Sequence, residues 1–115
     1  MGHPVVHFEV IGRDGPALRS FYGDLFGWNA TEVGPPMDYG MVEPSDAGIA
    51  GGIGATQEGE GHVTFYVQVP DLQAALDQAE SLGGSTRMPP TEVGDQTTIA
   101  LLDDPEGHTI GLVKG

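Results

Sequence analysis

The sequence predicts an α+β fold made of two consecutive βαβββ modules, residues 1–57 and 58–115, within a single domain. Three observations carry this expectation. The chain repeats itself at an offset of 57 residues. Each half opens on an alternating strand that runs into a helix with an Asp at its start. Each helix ends in glycine and is followed by three shorter strand candidates.

The offset aligns twelve identical pairs without a gap, where composition alone gives roughly four. Their placement matters more than their number. Phe8/Phe65 and Val10/Val67 fall at strand cores, Asp14/Asp71 at helix starts, Gly27/Gly84 at helix ends and Gly54/Gly111 in last strands.

The opening strands read "VVHFEVI" and "HVTFYVQV", with the period of two that a half-buried strand shows. Asp14 and Asp71 then stand where an N-cap accepts free helix N–H groups. Leu18, Phe21, Tyr22 and Leu25 give the first helix an apolar stripe at i, i+3, i+4, i+7, and Leu72, Ala75, Leu76 and Ala79 give the second its own. Gly27 ends one helix, Gly83 and Gly84 the other. The shorter strands are expected near 28–33, 39–43 and 49–54, and again near 85–88, 97–103 and 109–113. Gly-Pro-Pro (34–36), "SDAG" (45–48), "MPP" (88–90) and "DDPEG" (103–107) supply turns, and the polar segment "TQEGEG" (56–61) joins the halves.

Composition narrows the function classes. There is no cysteine, which excludes disulfides and thiolate metal sites. No apolar run approaches the ~20 residues needed to cross a bilayer, and "MGHPVV" has neither the basic nor the apolar part of a signal peptide, so a cytoplasmic protein is expected. Seventeen Asp and Glu against four Lys and Arg give a formal charge of −13, a field that repels nucleic acid and anionic lipid.

Strand parity then selects candidate site residues. Each helix must bury its stripe on a sheet face, supplied by Val6, Phe8 and Val10 in one module and Val63, Phe65, Val67 and Val69 in the other. The opposite face carries His7, Glu9, His62, Thr64, Tyr66 and Gln68, and the offset adds Tyr39, Met41 and Glu43. A face mixing imidazole, carboxylate, phenol, amide and thioether suits a curved cleft with a few converging polar groups. His7 beside Glu9 fits a general base whose pKa the carboxylate raises. The other seven are expected to contact a ligand. The plain alternative is a solvated sheet face on which these groups satisfy one another. Phe21 and Tyr22 are expected in the core, and Trp28 over a sheet edge or at a subunit contact. The glycines of "GIAGGIG" (48–54), with Gly111, leave the cleft floor open.

The segments "HFEVIGRDGPALRSFYGDLFGW" (7–28), "GGI" (51–53), "VTFYVQVPDLQAALDQAESLGG" (63–84) and "DDPEGHTIGLV" (103–113) resemble the vicinal oxygen chelate superfamily. That superfamily includes glyoxalase I, bleomycin-resistance proteins and extradiol dioxygenases. The likeness is greatest to small bacterial proteins related to lactoylglutathione lyase. It implies two βαβββ modules forming curved mixed sheets around a cleft, and a homodimer. It also implies metal ligands on the first and last strands of each module. His7 matches the first-strand ligand of module one, and Thr64 stands at the matching place in module two. The last-strand carboxylates are replaced by Gly54 and Gly111. The expectation is therefore no cofactor, with a divalent metal at His7 only if Glu9, His62 or Glu43 reaches inward. A glyoxalase I reaction is not expected. Two readings follow: a glyoxalase-like enzyme doing proton transfer, isomerisation or lyase chemistry on a small organic molecule, or a protein that sequesters a drug or metabolite without catalysis.

Overall fold

The computed structural model describes residues 2–34, 37–56, 59–94 and 96–115. It contains eight strands and three helices among them: β1 (Val5–Gly12), α1 (Gly15–Phe26), β2 (Thr31–Glu32), β3 (Tyr39–Val42), α2 (Pro44–Ala47), β4 (Ala50–Ala55), β5 (His62–Val69), α3 (Leu72–Ser81), β6 (Ser85–Glu92), β7 (Thr98–Asp103) and β8 (Thr109–Lys114). The α+β class is as expected. The chain divides into two compact units, one formed by His7–Val63 and the other by Met1–Val6 with Thr64–Gly115. We call them the His7 unit and the Thr64 unit. Residues 57 and 58 of the expected joint (56–61) lie outside the described residues, as do Pro35 and Pro36 of the first turn.

In the His7 unit the strand order is β2-β3-β4-β1. Strands β3 and β4 pair antiparallel, whereas β1 and β4 are parallel, with Phe8 opposite Gly51 and Glu9 opposite Gly52. Helix α1 supplies the crossover that a parallel pair requires. Asp14 caps it by accepting from the Ala17 amide at 3.0 Å, and Gly27 closes it in the left-handed conformation at φ 76°. The core is Val10, Val42 and Ile53, overlaid by Phe8, Leu18, Tyr22 and Trp28. Trp28 thus belongs to the core margin, its ring 5.0 Å from that of Phe8 and 5.7 Å from that of Tyr22.

The Thr64 unit repeats the plan in the order β5-β8-β7-β6, with β5 and β8 parallel. Asp71 caps α3 through the Ala74 amide at 3.0 Å. Val69, Leu72, Leu76, Ala100 and Leu112 form its core.

Four expectations need correction. The buried stripe of α1 is Gly15, Leu18, Arg19 and Tyr22; Phe21 is 58% exposed and Leu25 equally so. The stripe is turned because the Arg19 side chain finds polar partners beneath the helix. Val63 and Phe65 are exposed, because the core under α3 takes in only the later β5 residues Val67 and Val69. The "SDAG" turn is part of the short helix α2 rather than a bare turn. The "MPP" segment lies inside β6, an edge strand whose register shifts there, where a proline's missing N–H is tolerated.

Candidate functional site

Four of the nine candidate side chains meet in one hydrogen-bonded chain within the His7 unit. The His7 Nε2 lies 3.0 Å from the Tyr39 hydroxyl. That hydroxyl donates to Glu9 Oε2 at 2.9 Å, and His62 Nε2 lies 2.9 Å from Glu9 Oε1. A phenol has one proton to give. With Tyr39 donating to Glu9, His7 donates to Tyr39 and His62 donates to Glu9.

The sequence builds this chain through glycine. Tyr39 is on β3, two strands away from β1, and its ring must cross β4 to reach His7 and Glu9. It does so over Gly52, where any Cβ would collide with the phenol. On the other face of β4, Gly51 clears the Phe8 ring in the same way. Strand β4 is "AGGIGA" because side chains from its neighbours lie across both of its faces. Gly61 does a related job for His62. It has a φ of 87°, and a Cβ there would strike the carbonyl of Ile11, so the chain passes close over the end of β1 and delivers His62 to Glu9.

The two ends of the chain differ in exposure. His62 is 44% exposed and Glu9 is largely covered. Burial holds the His7 pKa below its usual 6.5, the loss of hydration outweighing the attraction of Glu9. His7 is therefore neutral at neutral pH, the form a general base needs.

The remaining candidates are placed elsewhere. Met41 is half-buried two residues along β3 from Tyr39, and so shares its face. Glu43 is exposed at the start of α2 and makes no capping bond with its side chain. Thr64, Tyr66 and Gln68 are in the Thr64 unit. There the Thr64 hydroxyl donates to the Thr109 carbonyl at 2.6 Å, the Tyr66 ring is buried flat over Gly111, and the Gln68 amide lies against Gly115.

These placements correct the expectation of an open floor. Tyr39 fills the space above Gly52, the Asp38 carbonyl and the edge of Tyr39 fill it at Gly54, and Tyr66 fills the space above Gly111. They also bear on the fit of a divalent metal. The last-strand carboxylates that the resemblance implies would fall at 54 and 111, where the Asp38 carbonyl and the Tyr66 ring leave no room for a side chain. Both oxygens of Glu9 are engaged by Tyr39 and His62. Among the described residues no three of His, Cys, Asp or Glu gather as a cation site. The donors among the described residues do not fit a metal that needs three or more ligands in fixed geometry.

Sequence reasoning passed over Arg19. It is 9% exposed and bonds to Asp38 and to the Ile53 carbonyl. The repeat carried the signal: at the 57-residue offset Arg19 aligns with Leu76, a fully buried position.

A family model for the Glyoxalase/Bleomycin resistance protein/Dioxygenase superfamily matches residues 5–112. A protein of Mycobacterium bovis, provisionally named glyoxylase CFP32, is 29% identical over 106 residues, covering 86% of this chain and 41% of its own length. The chain thus spans less than half of that relative. A superfamily member from Vibrio splendidus 12B01 shares the fold, with TM-score 0.69, 16% identity and coverage of 99% of this chain and 100% of that one. Methylmalonyl-CoA epimerase from Mycobacterium tuberculosis also shares it, with TM-score 0.68, 15% identity and coverage of 96% and 86%.

Proposed function

The chain belongs to the Glyoxalase/Bleomycin resistance protein/Dioxygenase superfamily, and from that premise we propose a metal-independent, glyoxalase-like enzyme that moves a proton beside the carbonyl group of a small organic molecule. The observation that carries this reading is the unbroken chain from His7 through Tyr39 and Glu9 to His62. Neutral His7 is the base for the acidic C–H. As His7 takes that proton at one ring nitrogen, its Nε2–H passes to Tyr39, the phenol proton passes to Glu9, and exposed His62 exchanges with solvent. Reversal of the same steps returns a proton to the substrate, at carbon for an isomerisation or with loss of a leaving group for a lyase. Such positioned proton transfer contributes roughly 10²–10⁴-fold in rate.

The structural relative from M. tuberculosis acts, by its name, on an acyl-CoA. A net charge of −13 disfavours so anionic a substrate here and favours a neutral or cationic one. Met41 supplies an apolar wall beside Tyr39. The reading includes the homodimer and the cytoplasmic location that the sequence raised. No helix among the described residues is long and apolar enough to cross a membrane. Sequestration of a cationic drug or metabolite is the second reading, favoured by the same −13 charge.

The test uses neutral α-hydroxyketones and 2-oxo esters in D₂O, with proton NMR following loss of the C–H signal. Exchange is expected with the wild-type protein, unchanged by EDTA, abolished in His7→Ala and reduced in Tyr39→Phe. Exchange that persists in His7→Ala removes the catalytic reading. Thermal stabilisation by a cationic aromatic drug without any exchange establishes the second.

A further inference from the structure

Arg19 is the buried cation of the His7 unit, and none of the steps above uses it. Its Nη1 donates to Asp38 Oδ1 at 2.9 Å and to the Ile53 carbonyl at 3.1 Å, and its Nη2 lies 3.6 Å from Glu32. Burying a guanidinium is costly unless its donors are paired, so a placement like this needs a compensating use.

The surroundings are shaped to hold the pair. A Cβ at Gly15 would collide with the Asp38 carboxylate, and one at Gly40 would come within 2.5 Å of Arg19 Cδ. Glycine on α1 and glycine on β3 therefore both make room for Arg19–Asp38. The two backbone segments that Arg19 grips are the ones that place Tyr39. Asp38 is its chain neighbour, and its carbonyl is fixed in turn by the Ala55 amide at 2.9 Å. Ile53 lies between Gly52, which is beneath the phenol, and Gly54, which faces the Asp38 carbonyl.

We infer that Arg19 is the positioning residue of this site: its bonds to Asp38 and the Ile53 carbonyl lock β3 against β4 so that Tyr39 lies across Gly52 with its hydroxyl between His7 and Glu9. Arg19 acts through Tyr39 and does not itself touch the reacting atoms. The inference rests on the proposal that this network is the site, and its test separates the two.

The test is NMR on the full chain, reading the nuclear Overhauser contact between the Tyr39 ring and the Gly52 Hα. Loss of that contact is expected in Arg19→Met, with its return in Arg19→Lys, which restores a cation to Asp38. Leu76→Ala, at the offset-equivalent place in the Thr64 unit, controls for destabilisation and is expected to keep it. A folded Arg19→Met that retains the contact overturns the inference. If Arg19→Met does not fold, Asp38→Asn replaces it, since Arg19 keeps its bond to Ile53. The contact is expected to be lost there too, and its survival likewise overturns the inference. If Arg19→Met loses the contact while Tyr39→Phe keeps full deuterium exchange, the positioning role stands and the functional proposal falls.

Discussion

Positions 19 and 76 occupy the same place under the 57-residue offset, yet one is a buried arginine and the other a fully buried leucine. The contrast extends to the first strand of each repeat. His7 and Glu9 align with Thr64 and Tyr66. In the His7 unit this pair takes part in a hydrogen-bonded chain that ends at an exposed imidazole. In the Thr64 unit the pair is closed off, the hydroxyl spent on a backbone carbonyl and the phenol ring laid over Gly111. Both units keep the cap, the crossover and the glycine-ended helix. A duplicated frame lets one copy carry polar groups that cost stability while the other is packed conventionally, and the difference between the copies marks where chemistry is expected.

The largest effect should come from exchanging the helix positions. Leu76→Ala removes a side chain with 0% exposure and should cost about 2–5 kcal/mol, measured by urea denaturation. Arg19→Leu gives the His7 unit its partner's solution. Removing one partner of an ion pair is destabilising, but Asp38 is 43% exposed and water can take the place of the guanidinium, so the unfolding midpoint should fall less than for Leu76→Ala while the Tyr39 contact to Gly52 is lost. Equal losses of stability in the two variants would break the comparison.

The next effect concerns the glycines under the two phenols. Gly111→Ala pushes against Tyr66, which is buried, and overpacking of this kind costs about 1–3 kcal/mol. Gly52→Ala pushes against Tyr39, which is only half-buried and can swing outward. Its stability loss should be smaller, and deuterium exchange should fall instead. A smaller change again is expected for Thr64→Val, which deletes the bond to the Thr109 carbonyl at about 1 kcal/mol and should leave exchange intact.

The frame was legible in the sequence because its signals are local. Asp14 and Asp71 cap as expected, and the strand alternation correctly placed His7 and Glu9 opposite Phe8 and Val10. Hydrophobicity misled where it ran against the repeat. Phe21 and Leu25 looked like core, but the α3 stripe of Leu72, Ala75, Leu76 and Ala79 maps by the offset onto Gly15, Leu18, Arg19 and Tyr22, which is the stripe observed. Reading one half against the other would have found Arg19. The reach of Tyr39 across β4 was not legible. Nothing local to residue 39 says that its ring will lie over a glycine on the neighbouring strand.

The smallest expected effect is on stability against pH, and it isolates His7. Its folded pKa lies below the ordinary 6.5, so above pH 6.5 it is neutral in both states and costs nothing. As pH falls through about 6.5 the unfolded chain takes up a proton more readily than the folded one, and stability is lost progressively. The loss is complete once pH falls below the depressed folded value. Position 64 holds a threonine, so the Thr64 unit has no counterpart to this titration. His7→Thr makes the two units alike at that place. Its urea midpoint should be flatter than that of the wild type between pH 7 and 5. The difference will be small, since His7 is only half-buried. If the two curves run parallel, His7 is as well hydrated folded as unfolded, and the neutral base on which the proton-transfer chain depends has no structural cause.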